Sequence, residues 1–208
     1  MASKPYDLAK RMLDLVSASV LLVLTSPIQL AVGVAVAAKL GRPVLFRQVR
    51  PGLHGRSFTL IKFRSMKDVD VTSGLVTDAE RLTRFGRALR ATSLDELPTL
   101  VNVVRGDMSM VGPRPLLIAY LTRYTPEQAR RHEVRPGITG LAQVSGRNDI
   151  DWDDKLRLDV EYVDTRGLRL DASIIWRTLS SVVRREGISA EGHATTHEFI
   201  GSDRGDRA

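Results

Sequence analysis

Residues 15–38 read LVSASVLLVLTSPIQLAVGVAVAA, 24 residues without a charged side chain. As one helix this run would be about 36 Å long, enough to cross about 30 Å of hydrocarbon. It is too long for a signal peptide and lacks a convincing cleavage site. Ser26 and Pro27 fall at its centre. Pro27 has no N–H and its ring crowds the carbonyl of Val23, so a kink is predicted there, with the Thr25 and Ser26 hydroxyls available to the loosened backbone. Each arm is then about 18 Å, roughly one leaflet. Lys4, Lys10 and Arg11 precede the run and a basic stretch follows it. A spanning helix keeps Lys and Arg mainly on the cytoplasmic side, whereas a hairpin that enters and leaves by one face has them at both ends. The expectation is therefore a re-entrant helix-break-helix anchor over residues 1–40, broken at Ser26-Pro27. A core helix is the competing reading, and it requires cover on every side.

The charge distribution supports a membrane-facing arrangement. Residues 39–67 carry Lys39, Arg42, Arg47, Arg50, Arg56, Lys62, Arg64 and Lys67 with no acidic residue, so this stretch is +8 and the rest of the chain, at net −1, is close to neutral. Such a patch suits anionic headgroups or phosphates. The chain has 208 residues, enough for one cored domain, and no cysteine. Disulfide scaffolds, thiolate metal sites and cysteine nucleophiles are excluded.

Beyond the patch, alternation at 58–64 predicts a short strand. AERLTRFGRALR at 79–90 reads as an amphipathic helix, and Leu116–Tyr124 and Pro126–His132 read as helical, the latter with Pro126 at a first helical position. VRPGITGLAQVSGRN at 134–148 reads as a Gly-rich loop with one strand. Apolar stripes at Trp152, Leu156, Val160 and Val163, and at Ile174, Ile175, Leu179, Val182 and Val183, mark two further helices. Trp152 and Trp176 suit a membrane interface, although core packing is the commoner fate of such stripes. The expected class is α+β and helix-dominated, with interfacial amphipathic helices and a small sheet over 41–208.

The densest chemistry is Ser93-Leu94-Asp95-Glu96-Leu97-Pro98. Pro98 places the two carboxylates in a turn at a helix start, where both can approach one ligand. The same letters fit a Ser93-x-x-Glu96 capping box, which involves no chemistry. Lys62, Arg64, Arg90, Arg105 and the stiff Gly112-Pro113-Arg114-Pro115 turn tilt the reading toward phosphate. An ionised Asp among cations suits attack on phosphorus, with a divalent metal to offset repulsion. His54, His132, His193 and His197 have no metal-helix spacing, and there is no Ser/His/Asp signature or Walker loop.

KRMLDL at 10–15, LTSP at 24–27, RPGLHG at 50–55, LIKFRSM at 60–66, SLDELPTLVNVVRGDMSMVGPRPL at 93–116, VRPGITGLAQVSGRN at 134–148 and KLRLDVEYV at 155–163 together resemble the monotopic phosphoglycosyl transferases. These form the bacterial sugar transferase family that starts glycan assembly on polyprenyl phosphate. The resemblance covers essentially the whole chain and looks like the minimal single-domain form, without the N-terminal transmembrane bundle of large members. It implies a helix broken at Ser26-Pro27 and a catalytic dyad of Asp95 and Glu96. Asp95 would attack the β-phosphate of a UDP-sugar and release UMP, and polyprenyl (undecaprenyl) phosphate would then take the phosphosugar. Mg2+ is implied near Asp95 and Glu96, with Glu96 as metal ligand or proton handler. Lys62, Arg64, Arg114 and Arg147 are the cations expected on substrate phosphates, and Asp159 and Tyr162 belong to a family motif. GISAEGHATTHEFIGS at 187–202 resembles the end of transferases that use UDP-di-N-acetylbacillosamine, which implies an N-acetylated amino sugar over glucose or galactose. The implied setting is the cytoplasmic face of the bacterial inner membrane. The implied partners are a UDP-sugar, polyprenyl phosphate, anionic lipids and downstream glycosyltransferases. The sequence leaves the oligomeric state open.

Two other classes fit parts of the chain. A nucleic-acid binder would use the basic stretch, but only Phe46, Phe58 and Phe63 interleave with it and no recognition module is present. A non-catalytic membrane scaffold explains 15–38 and leaves 93–116 without a purpose.

Overall fold

The computed structural model describes residues 5–146, 150–184 and 198–201. The apolar run lies in one helix, α1 (Pro5–Leu40), with Pro27 inside it. The expected helix-break-helix is thus a continuous helix, and the hydroxyls supply the reason. Ser26 Oγ donates to Val23 O, the carbonyl that Pro27 cannot serve, and Thr25 Oγ1 donates to Leu21 O. The core-helix reading fails, because Val23 and Leu30 are 71% and 73% exposed.

Both ends of α1 pack on the same domain. Arg11 donates to the carbonyls of Val103 and Val104, and Met110 N donates to Asp14. Ala18 is buried with Leu60, Leu100, Val103 and Met108. At the other end, Val32 and Val36 are buried with Phe63 and Leu89. Exposed apolar side chains crowd the middle of the helix between these two contacts.

The basic stretch forms a hairpin, β1 (Leu45–Pro51) antiparallel to β2 (Ser57–Phe63), with Leu45 opposite Phe63 and Pro51 opposite Ser57. Only β2 is legible in the sequence, because Arg47 and Arg50 interrupt the apolar alternation of β1. Next come α2 (Asp78–Arg81) and α3 (Arg84–Ala91), where one helix was expected. Thr83 divides them by accepting from Gly86 N as an N-cap. A 3₁₀ helix, Leu94–Thr99, leads into α4 (Leu100–Arg105). Residues 116–124 contain only a 3₁₀ turn, Ile118–Tyr120, rather than the expected helix. Helix α5 (Pro126–Ala129) begins on the predicted Pro126, with Thr125 and Gln128 forming a capping box.

Strand β3 (Ser109–Val111) pairs in parallel with β4 (Gly137–Thr139). Their glycines explain the Gly-rich segment. A Cβ on Gly137 would lie 2.1 Å from Gly112 N, so only two bare backbones fit there. This contact fixes the Gly112-Pro113-Arg114-Pro115 turn, with Gly137 N donating to Pro113 O.

The chain continues through α6 (Leu141–Ser145), α7 (Trp152–Thr165) and α8 (Leu168–Arg184). The α7 stripe is core: Leu156, Val160 and Val163 are buried, and Trp152 packs on Tyr120 and Phe199 instead of facing a membrane. The α8 stripe is divided, with Ile174 buried and Trp176 and Leu179 exposed.

Candidate active site

The 3₁₀ geometry of Leu94–Thr99 builds the site. With three residues per turn, Leu94 and Leu97 share a face. Leu94 packs with the α1 cluster around Val32 and Val36, and Leu97 packs with the cluster around Ala18. The turn is therefore seated on the apolar helix, and its intervening residues, Asp95 and Glu96, occupy the other two faces.

The capping box is not formed. Ser93 is left-handed at φ 54° and makes no side-chain cap bond. Glu96 is engaged elsewhere: Lys62 Nζ lies 2.5 Å and Arg114 Nη2 3.2 Å from its Oε1. Lys62 is delivered by β2, whose Ile61 N and Thr59 O are both bonded by the buried side chain of Asn102 on α4. Arg114 is delivered by the rigid turn described above.

The two carboxylates titrate in opposite directions. Burial would raise Glu96, but Lys62 and Arg114 outweigh it and hold the group at about 2. Asp95 is pushed up to about 6, first by burial and then by the Glu96 charge, against the pull of Lys62, Arg90 and Arg114. It is 8% exposed. Among the described residues Asp95 has no hydrogen bond or ion pair. One carboxylate is thus a fixed anion clamped by cations, while its neighbour is an unclamped carboxylate that ionises near neutrality. That combination suits a nucleophile set among cations that can receive a phosphoryl group.

The other expected residues lie elsewhere or outside the described set. Arg64 is buried, bonded to the carbonyl of Leu40 and paired with Asp68 at 2.8 Å, so it fastens the end of α1 to the end of β2. Asp159 is buried in an ion pair with Arg131 at 2.6 Å. Tyr162 donates its one hydroxyl proton to Asp171 Oδ1 at 2.8 Å, with Val111 O 3.1 Å from the same oxygen. Arg147 lies outside the described residues, as do residues 187–197 and 202 of the C-terminal stretch. Arg105 is exposed at the end of α4, and Arg90 donates to Ser65 Oγ at 3.0 Å.

Sequence reading missed Arg131, whose guanidinium donates to Asp159 and to the backbone of Arg114. It lies in a run of charges, Arg130-Arg131-His132-Glu133, which reads as a solvated face. It also missed Asp171, which accepts from Tyr6, Lys10 and Tyr162 and ties α1 to α7 and α8.

A carboxylate among cations on a turn seated against an exposed apolar helix suits chemistry on anionic groups. Comparison with known proteins gives the family: the model described as bacterial sugar transferase matches residues 5–185. The chain belongs to the bacterial sugar transferase family and is an enzyme of the sugar-phosphate transferase class. It is 53% identical over 194 residues to an uncharacterized sugar transferase, EpsL, of Bacillus subtilis, spanning 93% of this chain and 96% of that one. It is 43% identical to the UDP-glucose:undecaprenyl-phosphate glucose-1-phosphate transferase of Caulobacter vibrioides, spanning 85% and 70%. It is 38% identical to the undecaprenyl-phosphate galactose phosphotransferase of Salmonella typhimurium, covering 90% of this chain and 43% of that protein.

Proposed function

We propose that this enzyme transfers a sugar-1-phosphate from a UDP-sugar to undecaprenyl phosphate through Asp95. The supporting observation is the unclamped Asp95 carboxylate, held near 6 beside a Glu96 fixed by Lys62 and Arg114. An Asp95 oxygen attacks the β-phosphorus, the bond from that phosphorus to the bridging oxygen breaks, and UMP leaves. Attack by an undecaprenyl phosphate oxygen on the same phosphorus then breaks the aspartyl–phosphorus bond and restores Asp95. Lys62 and Arg114 neutralise phosphate charge, and Glu96 fixes both cations in place.

Mg2+ is part of this proposal. Among the described residues no group of three or more His, Asp or Glu side chains forms a metal site, and the protein ligands proposed are Asp95 and Glu96, whose Oε1 is the oxygen that Lys62 and Arg114 reach. Mg2+ commonly takes one or two carboxylates and completes its shell with substrate phosphate and water. When bound, it would screen the diphosphate charge from the two carboxylates.

Two readings of the sugar each have support. The names of the Caulobacter and Salmonella relatives favour glucose or galactose. The resemblance of residues 187–202 favours an N-acetylated amino sugar. Purified enzyme given a panel of UDP-sugars with Mg2+ is expected to turn over only when undecaprenyl phosphate is present, with at most one UMP per enzyme released in its absence, and turnover across the panel names the sugar. Absence of turnover with every donor would reject the reaction.

The proposed setting is the cytoplasmic face of the bacterial inner membrane, with α1 re-entrant. In support, both ends of α1 pack on one domain while its middle is apolar and exposed. A span would place about 30 Å of hydrocarbon between ends that share that domain. Because the chain has no cysteine, Ser3→Cys and Arg47→Cys can be labelled cleanly in membrane vesicles. Both are expected to react from the cytoplasmic side only, and labelling from opposite sides would establish a span.

A further inference from the structure

We propose that the C-terminal Glu198–Gly201 segment is part of the working active site, with Phe199 a positioning residue for Arg114. The inference rests on the role given above to Arg114 and Glu96. Phe199 is 2% exposed although it lies near the chain end, and its ring is packed among Tyr120, Tyr124 and Trp152 at centroid distances of 5.4–5.7 Å. The segment is also held by polar contacts. Phe199 N donates to Tyr120 Oη at 3.2 Å, and the Arg123 guanidinium donates to Phe199 O and pairs with Glu198 at 2.7 Å.

The contacts continue from Phe199 to the site in four steps. Phe199 stacks on Tyr124, with 26° between the rings. The Arg131 guanidinium carbon lies 5.7 Å from the same Tyr124 ring, and Arg131 donates to its hydroxyl. Arg131 then donates to Arg114 O at 2.7 Å, and Arg114 Nη2 reaches Glu96. Leu116 and Leu117, just beyond Arg114, pack against the same aromatic cluster. Phe199 thus closes the far side of the layer on which the Arg114 turn rests. Arg114 has a long side chain whose usefulness depends on where its backbone is fixed, and displacement of a catalytic group by about 1 Å can cost on the order of 100-fold in rate.

The test combines kinetics with amide exchange on the full-length protein. Phe199→Ala is expected to lower kcat/KM for the UDP-sugar about 10- to 100-fold, mainly through KM. Phe199→Leu, which keeps most of the packing, should recover most of the rate, and it serves as the folded variant if Phe199→Ala does not fold. In a double-mutant cycle with Arg114→Ala, the double variant should be no worse than Arg114→Ala alone. Additive losses would overturn the proposal. Hydrogen exchange is expected to rise at residues 112–117 in the Phe199 variants and to stay unchanged in the β1–β2 hairpin. Unchanged exchange at 112–117 would overturn the positioning role even if the enzyme releases UMP. Raised exchange in a protein that never releases UMP would support the positioning and reject the transfer reaction.

Discussion

Replacing Asp95 by Asn is expected to abolish UMP release, with a loss of at least about 10⁴-fold, the scale seen when a covalent nucleophile is removed. Asn keeps the shape of the side chain but offers no anionic oxygen. The fold should survive, since among the described residues Asp95 has no hydrogen bond or ion pair to lose. The melting temperature should even rise. A carboxyl raised from 3.8 to about 6 holds its proton in the folded state after the unfolded chain has released it. Its presence therefore lowers stability as pH climbs from about 4 to about 6, and the penalty is complete above that, at about 3 kcal/mol at most. At pH 7.5 the Asn variant should be inactive and several degrees more stable. The wild-type rate should fall tenfold per unit below about pH 6 and level off above it. Glu96 carries the opposite sign: held at about 2, it contributes stability that is present above its ordinary value and is lost as pH falls toward 2. Full activity in Asp95→Asn would remove it as the nucleophile.

The second large effect is on stability. Asp159→Asn leaves the Arg131 guanidinium, which is 2% exposed, without its carboxylate. Breaking one side of a buried pair typically costs about 3–5 kcal/mol. In a chain of this length that is roughly 10 °C or more in melting temperature, read by a thermal melt in detergent. Changing both members, Arg131→Met with Asp159→Leu, should cost less than Asp159→Asn alone, because no uncompensated charge is left buried. A normal melt with lost activity in Asp159→Asn would return Asp159 to substrate binding.

Asp159 shows where the sequence stopped being legible. KLRLDVEYV marks Asp159 and Tyr162 as notable, but their partners, Arg131 and Asp171, are distant or ordinary in the sequence. Ion pairs across long separations leave no periodic signal. The basic stretch gives the same lesson. Read along the chain it is one patch of eight cations; in the fold Lys62 turns to Glu96, Arg64 to the end of α1, and Arg50 donates to Pro115 O. Lys39, Arg42, Arg47, Arg56 and Lys67 remain exposed.

Amino-acid order alone determined the long apolar helix and the location of the acidic pair, because each is written in contiguous residues. An uncharged run of 24 residues and an Asp-Glu dipeptide beside Pro do not depend on what packs against them. Only the tertiary structure decided that α1 runs unbroken through Pro27, that Glu96 is clamped while Asp95 is not, and that Phe199 packs among Tyr120, Tyr124 and Trp152. The first depends on hydroxyls replacing one backbone bond. The second depends on a 3₁₀ register that seats Leu94 and Leu97 on the helix and sends adjacent carboxylates to different surroundings. The third depends on an aromatic cluster assembled from three separate segments, a contact whose members are separated by up to 79 residues.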